Sequence, residues 1–239
     1  MLAMPETALG LFPDVGGSYF LSRLKHNLGN YLALTGYRLQ GADALHAGLA
    51  THYVPSSKLE ELQKKLVSLD DVTEKTVEAA IRELQPSSIP KFSLEEQLPV
   101  IEKTFQASAL NPVKRGLDLL TVEEILENLK KENSDWSKKQ VATLSKMSPT
   151  SMKVTLKQLQ NGANMKFNEV FTMEYQLTQR CLEDHDFYEG CRAILIDKDR
   201  NPKWKPATLE EVTDEKVAWY FSPLGEGRDI DVTRPDAKL

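Results

Sequence analysis

The chain has little cysteine. Its 239 residues include two, Cys181 and Cys191, and they do not form a C-x-x-C pair. That excludes a disulfide framework and points to a reducing compartment, with both thiols serving as small apolar side chains. A basic surplus is also lacking. The formal net charge is −5, whereas nucleic-acid binding normally rests on an excess of Lys and Arg, so no nucleic-acid partner is expected. No apolar run nears the roughly 20 residues that cross a bilayer, and no membrane span is expected. No basic or amphipathic leader is visible, because Met1-Leu2-Ala3 runs directly into a Pro- and Gly-rich stretch. The histidines His26, His46, His52 and His185 lie far apart without ligand spacing, so no metal site is expected. G-x-S-x-G, G-x-G-x-x-G and the P-loop pattern are all absent, which leaves Ser18 unsupported as a nucleophile. Strand signals are scarce as well. Leu49 to Val54, stopped by Pro55, is the single convincing strand, and one strand has nothing to pair with.

Hydrophobic residues make up 41% of the chain, enough for a core. The stretch Met4 to Gly17 organises the rest. It sets Glu6 and Asp14 eight positions apart among Gly10, Pro13, Gly16, Gly17 and mostly apolar neighbours. Pro5 and Pro13 fix φ and bias the residue before each toward an extended shape. Gly16-Gly17 permits a tight turn before a helix opened by Ser18. The pattern describes a stiff apolar loop delivering two acids to a low-dielectric place, where a carboxylate can act as base or nucleophile. The alternative is ordinary turn chemistry, with Glu6 capping a helix and Asp14 closing a turn.

Helical signals dominate the remainder. Helices are expected at Ser18–Lys25, Asn27–Thr35 and Gly41–Gly48. Capping boxes at Ser57/Glu60, Ser93/Glu96, Thr121/Glu124 and Thr208/Glu211 mark further starts. Others are expected at Thr73–Leu84, Asp135–Lys146, from Ser148-Pro149 to Asn161, at Asn168–Glu183, and from Asp186 through the apolar Ala193, Ile194 and Ile196. Residues 109–120 look like a surface insertion. The tail after Ser222, rich in charge, Gly and Pro, is expected to be poorly ordered. Trp204, between Lys203 and Lys205, is a candidate to stack on a ligand or to cover an apolar edge.

The pattern P-E-x-x-L-G-L-x-P-x-x-G-G appears as Pro5, Glu6, Leu9, Gly10, Leu11, Pro13, Gly16 and Gly17. Ala33-Leu34-Thr35-Gly36 follows, and then Ala42–Ala47 into Gly48-Leu49-Ala50. This ordered set resembles the crotonase (enoyl-CoA hydratase/isomerase) superfamily. Within it, Phe12-Pro13-Asp14-Val15-Gly16-Gly17 is similar to a branch of acyl-CoA thioester hydrolases, since hydratases of this fold usually carry a small residue after that proline. Lys146-Met147-Ser148-Pro149, Thr172-Met173-Glu174-Tyr175 and His185-Asp186-Phe187-Tyr188-Glu189-Gly190 agree with that branch. The resemblance covers most of positions 3 to 221.

The resemblance implies an α/β crotonase-type fold, of which this chain is the mainly α C-terminal portion with little strand. The parts expected are residues 1–55 from the core with the catalytic loop, a helical region 56–221, and a flexible tail 222–239. It implies hydrolysis of a β-hydroxyacyl-CoA thioester in a mitochondrial setting. Glu6 would attack the thioester carbonyl or activate water, and Asp14 would bind the 3-hydroxyl or orient the water. Both acids thus bind substrate as well as catalyse. The implied partner is an acyl-CoA, with self-association left open. No metal or redox cofactor is implied, CoA being part of the substrate. Such enzymes place most strands, much of the CoA site and the oxyanion N–H groups before the P-E motif, so this chain by itself is expected to be inactive. Two other readings stay open: a hydratase or isomerase with Glu6 as acid/base, and a non-catalytic helical module that associates with a longer subunit.

Overall fold

The computed structural model describes residues 1–106 and 120–230. In chain order its α-helices are α1 (Gly17–Phe20), α2 (Leu28–Thr35), α3 (Gly41–His46), α4 (Leu59–Val67), α5 (Glu74–Glu83), α6 (Leu98–Thr104), α7 (Val122–Glu132), α8 (Asp135–Leu144), α9 (Pro149–Gly162), α10 (Phe167–Glu183), α11 (Asp186–Cys191) and α12 (Asp214–Tyr220). Contacts gather these into two compact units. One holds Met1–Leu2 and Leu39–Gln97; the other holds the described residues of Ala3–Arg38 and Leu98–Leu239. This division runs differently from boundaries at 55 and 221.

In the first unit an antiparallel bridge joins Leu2 and Leu39, with N···O distances of 2.9 and 2.8 Å. The buried Asp43 on α3 accepts from the Gln40 amide at 3.1 Å and from the Ser93 amide and hydroxyl, each at 2.9 Å. The expected strand at Leu49–Val54 is not formed. A strand needs a ladder partner, and no strand exists among the described residues to supply one. Its amides go elsewhere: Leu49 and Ala50 donate to the Ala44 carbonyl, and Tyr53 to the Gln85 side chain. The Ser57/Glu60 box also fails. A 3-10 turn over Ser56–Lys58 intervenes, and α4 begins at Leu59 without a side-chain cap. Thr73 does cap α5, accepting from the Thr76 amide.

In the second unit, α9 and α10 build the core. Phe12, Val154, Met173, Leu177, Cys181 and Tyr220 form one buried cluster. Cys181 is buried, which pushes its thiol up to about 12, and Cys191 is partly covered, so both are the inert thiols expected. Ser148 caps α9 by accepting from the Ser151 amide, with Pro149 at the first position. Thr121 and Glu124 form their capping box.

Three helix expectations change in this unit. The helix expected over 18–25 stops at Phe20, and a 3-10 turn at Leu21–Arg23 follows before Leu24 turns extended. The helix from Asp186 ends at Cys191 and continues as a π-turn, Arg192–Ile196, which swings Ile196 out to 72% exposure. At Thr208/Glu211 the Glu211 carboxylate caps the Ala207 amide in a turn, and the helix begins later, at Asp214, under a Thr213 cap.

The stretch from Ser222 to Ile230 is tied down rather than loose. Leu224 is buried, Arg180 donates to the Ser222 hydroxyl and the Pro223 carbonyl, and Asp229 accepts from the Leu224 amide and from Gln176. Residues 231–239 lie outside the described residues, as does the expected insertion 109–120 apart from Leu120.

Candidate active site

Glu6 begins a single 3-10 turn, Glu6–Leu9, that follows Pro5 and closes at Gly10. Gly10 is left-handed, with φ of 71°, and a Cβ there would sit 2.2 Å from the Asp186 carbonyl oxygen on α11. Only glycine meets both demands. The turn is clamped on two further sides. The buried Thr7 hydroxyl donates to the Leu34 carbonyl of α2 at 3.1 Å, and the Ser148 amide donates to the Thr7 carbonyl at 3.0 Å. Glu6 therefore stands on a rigid, short support.

Its carboxyl group is half-buried, and Oε2 is enclosed with no hydrogen-bond partner. Burial is the main reason its pKa rises from 4.5 to about 7; a backbone hydrogen bond opposes the shift and the Asp14 charge adds to it. The structure thus brings the two sequence-selected acids into one electrostatic environment. An unpartnered buried acceptor, held near neutrality in protonation, is suited to take a proton or attack a carbonyl.

Asp14 follows the buried Pro13 and precedes Val15 and Gly16, two successive left-handed residues with φ of 51° and 85°. Gly17 donates back to the Asp14 carbonyl at 2.8 Å and opens α1. The tightness of this turn comes from residues that sequence reasoning did not single out by chemistry. Glu174 of α10, 4% exposed, accepts from the Gly16 amide at 2.8 Å, the Ser18 amide at 3.0 Å and the Ser18 hydroxyl at 2.6 Å. Gln158 of α9 donates to the Pro13 carbonyl at 2.6 Å and to the Ser18 hydroxyl at 2.7 Å. Ser18 is accordingly a buried structural hydroxyl rather than a nucleophile. A signal for Glu174 was present: it sits on the same face as Val170, Met173 and Leu177, all buried. A charged residue on a helix's apolar face must find specific partners.

Asp186 is the second buried acid near the turn. It accepts from the Ser148 hydroxyl at 2.6 Å and the Lys205 amide at 2.8 Å, and pairs with the His185 ring at 3.1 Å. It locks α9, α11 and the 202–206 loop beside Gly10. Trp204 donates its indole N–H to the Lys146 carbonyl at 3.0 Å. That ties the indole to the turn that follows α8. Of the remaining histidines, His26 pairs with Glu102, His46 with the Pro90 carbonyl and His52 with the Thr51 hydroxyl. Among the described residues no group of three or more His, Cys, Asp and Glu side chains is placed to hold a metal ion. Among the same residues no helix is long and apolar enough to cross a membrane.

Comparison with known proteins follows the same line. A family model described as enoyl-CoA hydratase/isomerase matches residues 1–221. Mitochondrial 3-hydroxyisobutyryl-CoA hydrolase of Xenopus laevis is 49% identical over 234 residues, covering 96% of this chain and 57% of the relative. The enzymes of that name from Gallus gallus and Homo sapiens are 48% and 47% identical, each over 94% of this chain and 56% of the relative. The chain therefore spans somewhat over half the length of the curated relatives it matches. Among solved structures, a carnitinyl-CoA dehydratase from Mycobacterium thermoresistibile superposes with a TM-score of 0.80 at 33% identity, covering 94% of this chain and 59% of the other. An enoyl-CoA hydratase from Rhodobacter sphaeroides superposes with a TM-score of 0.74 at 31% identity, covering 92% of this chain and 58% of that one.

Proposed function

The chain belongs to the enoyl-CoA hydratase/isomerase family, and from that premise we propose that it carries the acid pair of an acyl-CoA thioester hydrolase. The substrate in this reading is 3-hydroxyisobutyryl-CoA, with related small β-hydroxyacyl-CoA thioesters. The chain corresponds to the mainly helical C-terminal portion of a crotonase-type fold, and the mitochondrial location named for its relatives extends to it. The observation that carries the reading is the enclosed, partnerless Oε2 of Glu6, with the carboxyl pushed up to about 7 beside Asp14.

In the reaction, ionised Glu6 attacks the thioester carbonyl, breaking the C–S bond and expelling CoA as its thiolate, to form a mixed anhydride that water then opens; or Glu6 takes the proton from a water that attacks the carbonyl and expels the same thiolate. Either route needs the carboxylate, so CoA release rises as pH rises through about 7. Asp14 receives the substrate's 3-hydroxyl or orients the water. Neighbouring acids divide such roles when their environments separate their protonation states. The tetrahedral intermediate's oxyanion is met by preorganised N–H donors of the complete fold. CoA arrives as part of the substrate and leaves as the free thiol, and no metal or redox group enters the scheme.

The solved neighbours bear dehydratase and hydratase titles, which favours a second reading with Glu6 as acid/base on an enoyl-CoA. Asp14 and the hydrolase relatives weigh against it. The deciding experiment fuses the portion of the Xenopus hydrolase preceding the matched region to Met1 and follows CoA release and enoyl-CoA hydration separately. CoA release is expected. Glu6→Gln should lower it by at least about 10³-fold, the order of loss seen when a group of a catalytic unit is removed. Asp14→Asn should hurt a 3-hydroxyacyl thioester more than its unhydroxylated analogue. Unchanged CoA release in Glu6→Gln, or hydration without CoA release, would overturn the hydrolase reading.

A further inference from the structure

We propose that Glu174 and Gln158 are positioning residues that hold the Asp14–Val15 turn, and with it the Asp14 carboxylate, in register with Glu6. The inference rests on the reading of Glu6 and Asp14 as the working pair. Val15 is β-branched and left-handed at φ of 51°, and its side chain is 71% exposed. A β-branched residue in that region is strained and persists where its surroundings over-determine it. Here packing of the Val15 side chain does not supply that constraint. The backbone on either side of the turn does.

On the N-terminal side, the Pro13 carbonyl accepts from Gln158 at 2.6 Å. On the C-terminal side, the Gly16 amide donates to Glu174 Oε2 at 2.8 Å. The Ser18 amide and hydroxyl then donate to Oε1 at 3.0 and 2.6 Å, and Gln158 bridges back to the same hydroxyl at 2.7 Å. Asp14 and Val15 are thus bracketed by two side chains that are 4% and 0% exposed. Burying a carboxylate and an amide is costly unless they are hydrogen-bonded. A leucine at either position would fill the space at no such cost. The contacts named above all fall on Pro13, Gly16 and Ser18, the backbone and hydroxyl that frame Asp14, and α9 and α10 are the rigid elements from which they reach.

The test labels the 239-residue chain with carboxyl-13C glutamate and follows the Glu6 resonance through a pH titration. Four forms are compared: the parent, Asp14→Asn, Glu174→Gln and the double variant. In the parent the midpoint is expected near 7. Asp14→Asn lowers it, because a neighbouring negative charge is removed. Glu174→Gln is expected to lower it too, through displacement of Asp14, but not in the Asp14→Asn background, where there is no charge to displace. That non-additivity separates positioning through Asp14 from a direct loss of charge or a general loosening.

The same shift in both backgrounds, or none in either, would overturn the proposal. Ser18→Ala removes no charge and spares both amides, and it carries the same cycle if Glu174→Gln does not fold. A downward shift confined to the Asp14 background supports the proposal, and its absence overturns it. No turnover is read. If Glu6→Gln leaves CoA release intact in the fusion, the hydrolase reading fails on its own, independently of this cycle.

Discussion

The loop from Glu6 to Ser18 and the helix pair α4 and α5 are held by opposite means. The loop's local bonds close only short turns, as from Leu11 to Glu6 and from Gly17 to Asp14. Its polar groups reach residues far along the chain: Gly16 to Glu174, Pro13 to Gln158, Thr7 to Leu34. The pair α4 and α5 buries almost nothing; α4 has no buried residue and α5 has Ala80 alone. It is held by caps and short-range charge pairs, as in Thr73 capping, Glu60 with Lys64, and Glu78 with Arg82. The lesson is that geometry for chemistry is made by long-range buried polar bonds, whereas a surface helix is sustained by its own neighbours in sequence.

The largest expected effect tests that contrast. Glu174→Ala strands three buried donors, those of the Gly16 amide and the Ser18 amide and hydroxyl, and should cost about 3–5 kcal/mol in denaturant unfolding. A loss as small as that of a surface cap would break the comparison.

Next comes Glu6, where burial works against stability. Its folded pKa of about 7 exceeds the ordinary 4.5. A raised folded pKa means that stability is fully present below the unfolded value and is lost as pH rises through the folded one. Glu6→Gln should therefore stabilise the chain by roughly 2 kcal/mol at pH 8, after discount for partial solvent exposure, with the gain vanishing below about pH 4. Denaturant midpoints of the two forms at those pH values check this. A destabilised Glu6→Gln at pH 8 would show that the carboxylate has a structural partner.

The smallest effect lies on the helix pair. Thr73→Ala removes the N-cap of α5 and should cost about 1 kcal/mol, with Glu6 unaffected. A coupled change at Glu6 would mean that the two regions are not separately sustained.

The same contrast explains what was legible in the sequence. Caps written in adjacent residues were readable: Thr73, Thr121, Ser134 and Ser148 each accept from the amide three positions on, and all four stand at helix starts that the sequence signals. The turns that carry Glu6 and Asp14 were legible in outline, because Gly10 and Gly16 adopt the left-handed conformations that glycine suits. Where a local signal competes with a better local alternative, it misleads. Ser57/Glu60 loses to a 3-10 turn, and Glu211 spends its carboxylate on the Ala207 amide. Ile196 reads as core by spacing, but a π-turn shifts the register and exposes it. The roles of Glu174, Gln158 and Asp186 depend on bonds across more than thirty positions; the apolar face around Glu174 signals that it needs partners, but no local pattern names them. Leu49–Val54 has strand composition without a ladder partner, so composition there did not decide structure.

The central claim is that burial and Asp14 together poise Glu6 near neutrality. A carboxyl-13C titration of Glu6 in the 239-residue chain tests it most directly. The account expects a midpoint near 7 that falls when Asp14→Asn is introduced. A midpoint near the ordinary 4.5 in the parent chain, or one that Asp14→Asn leaves unmoved, would contradict it.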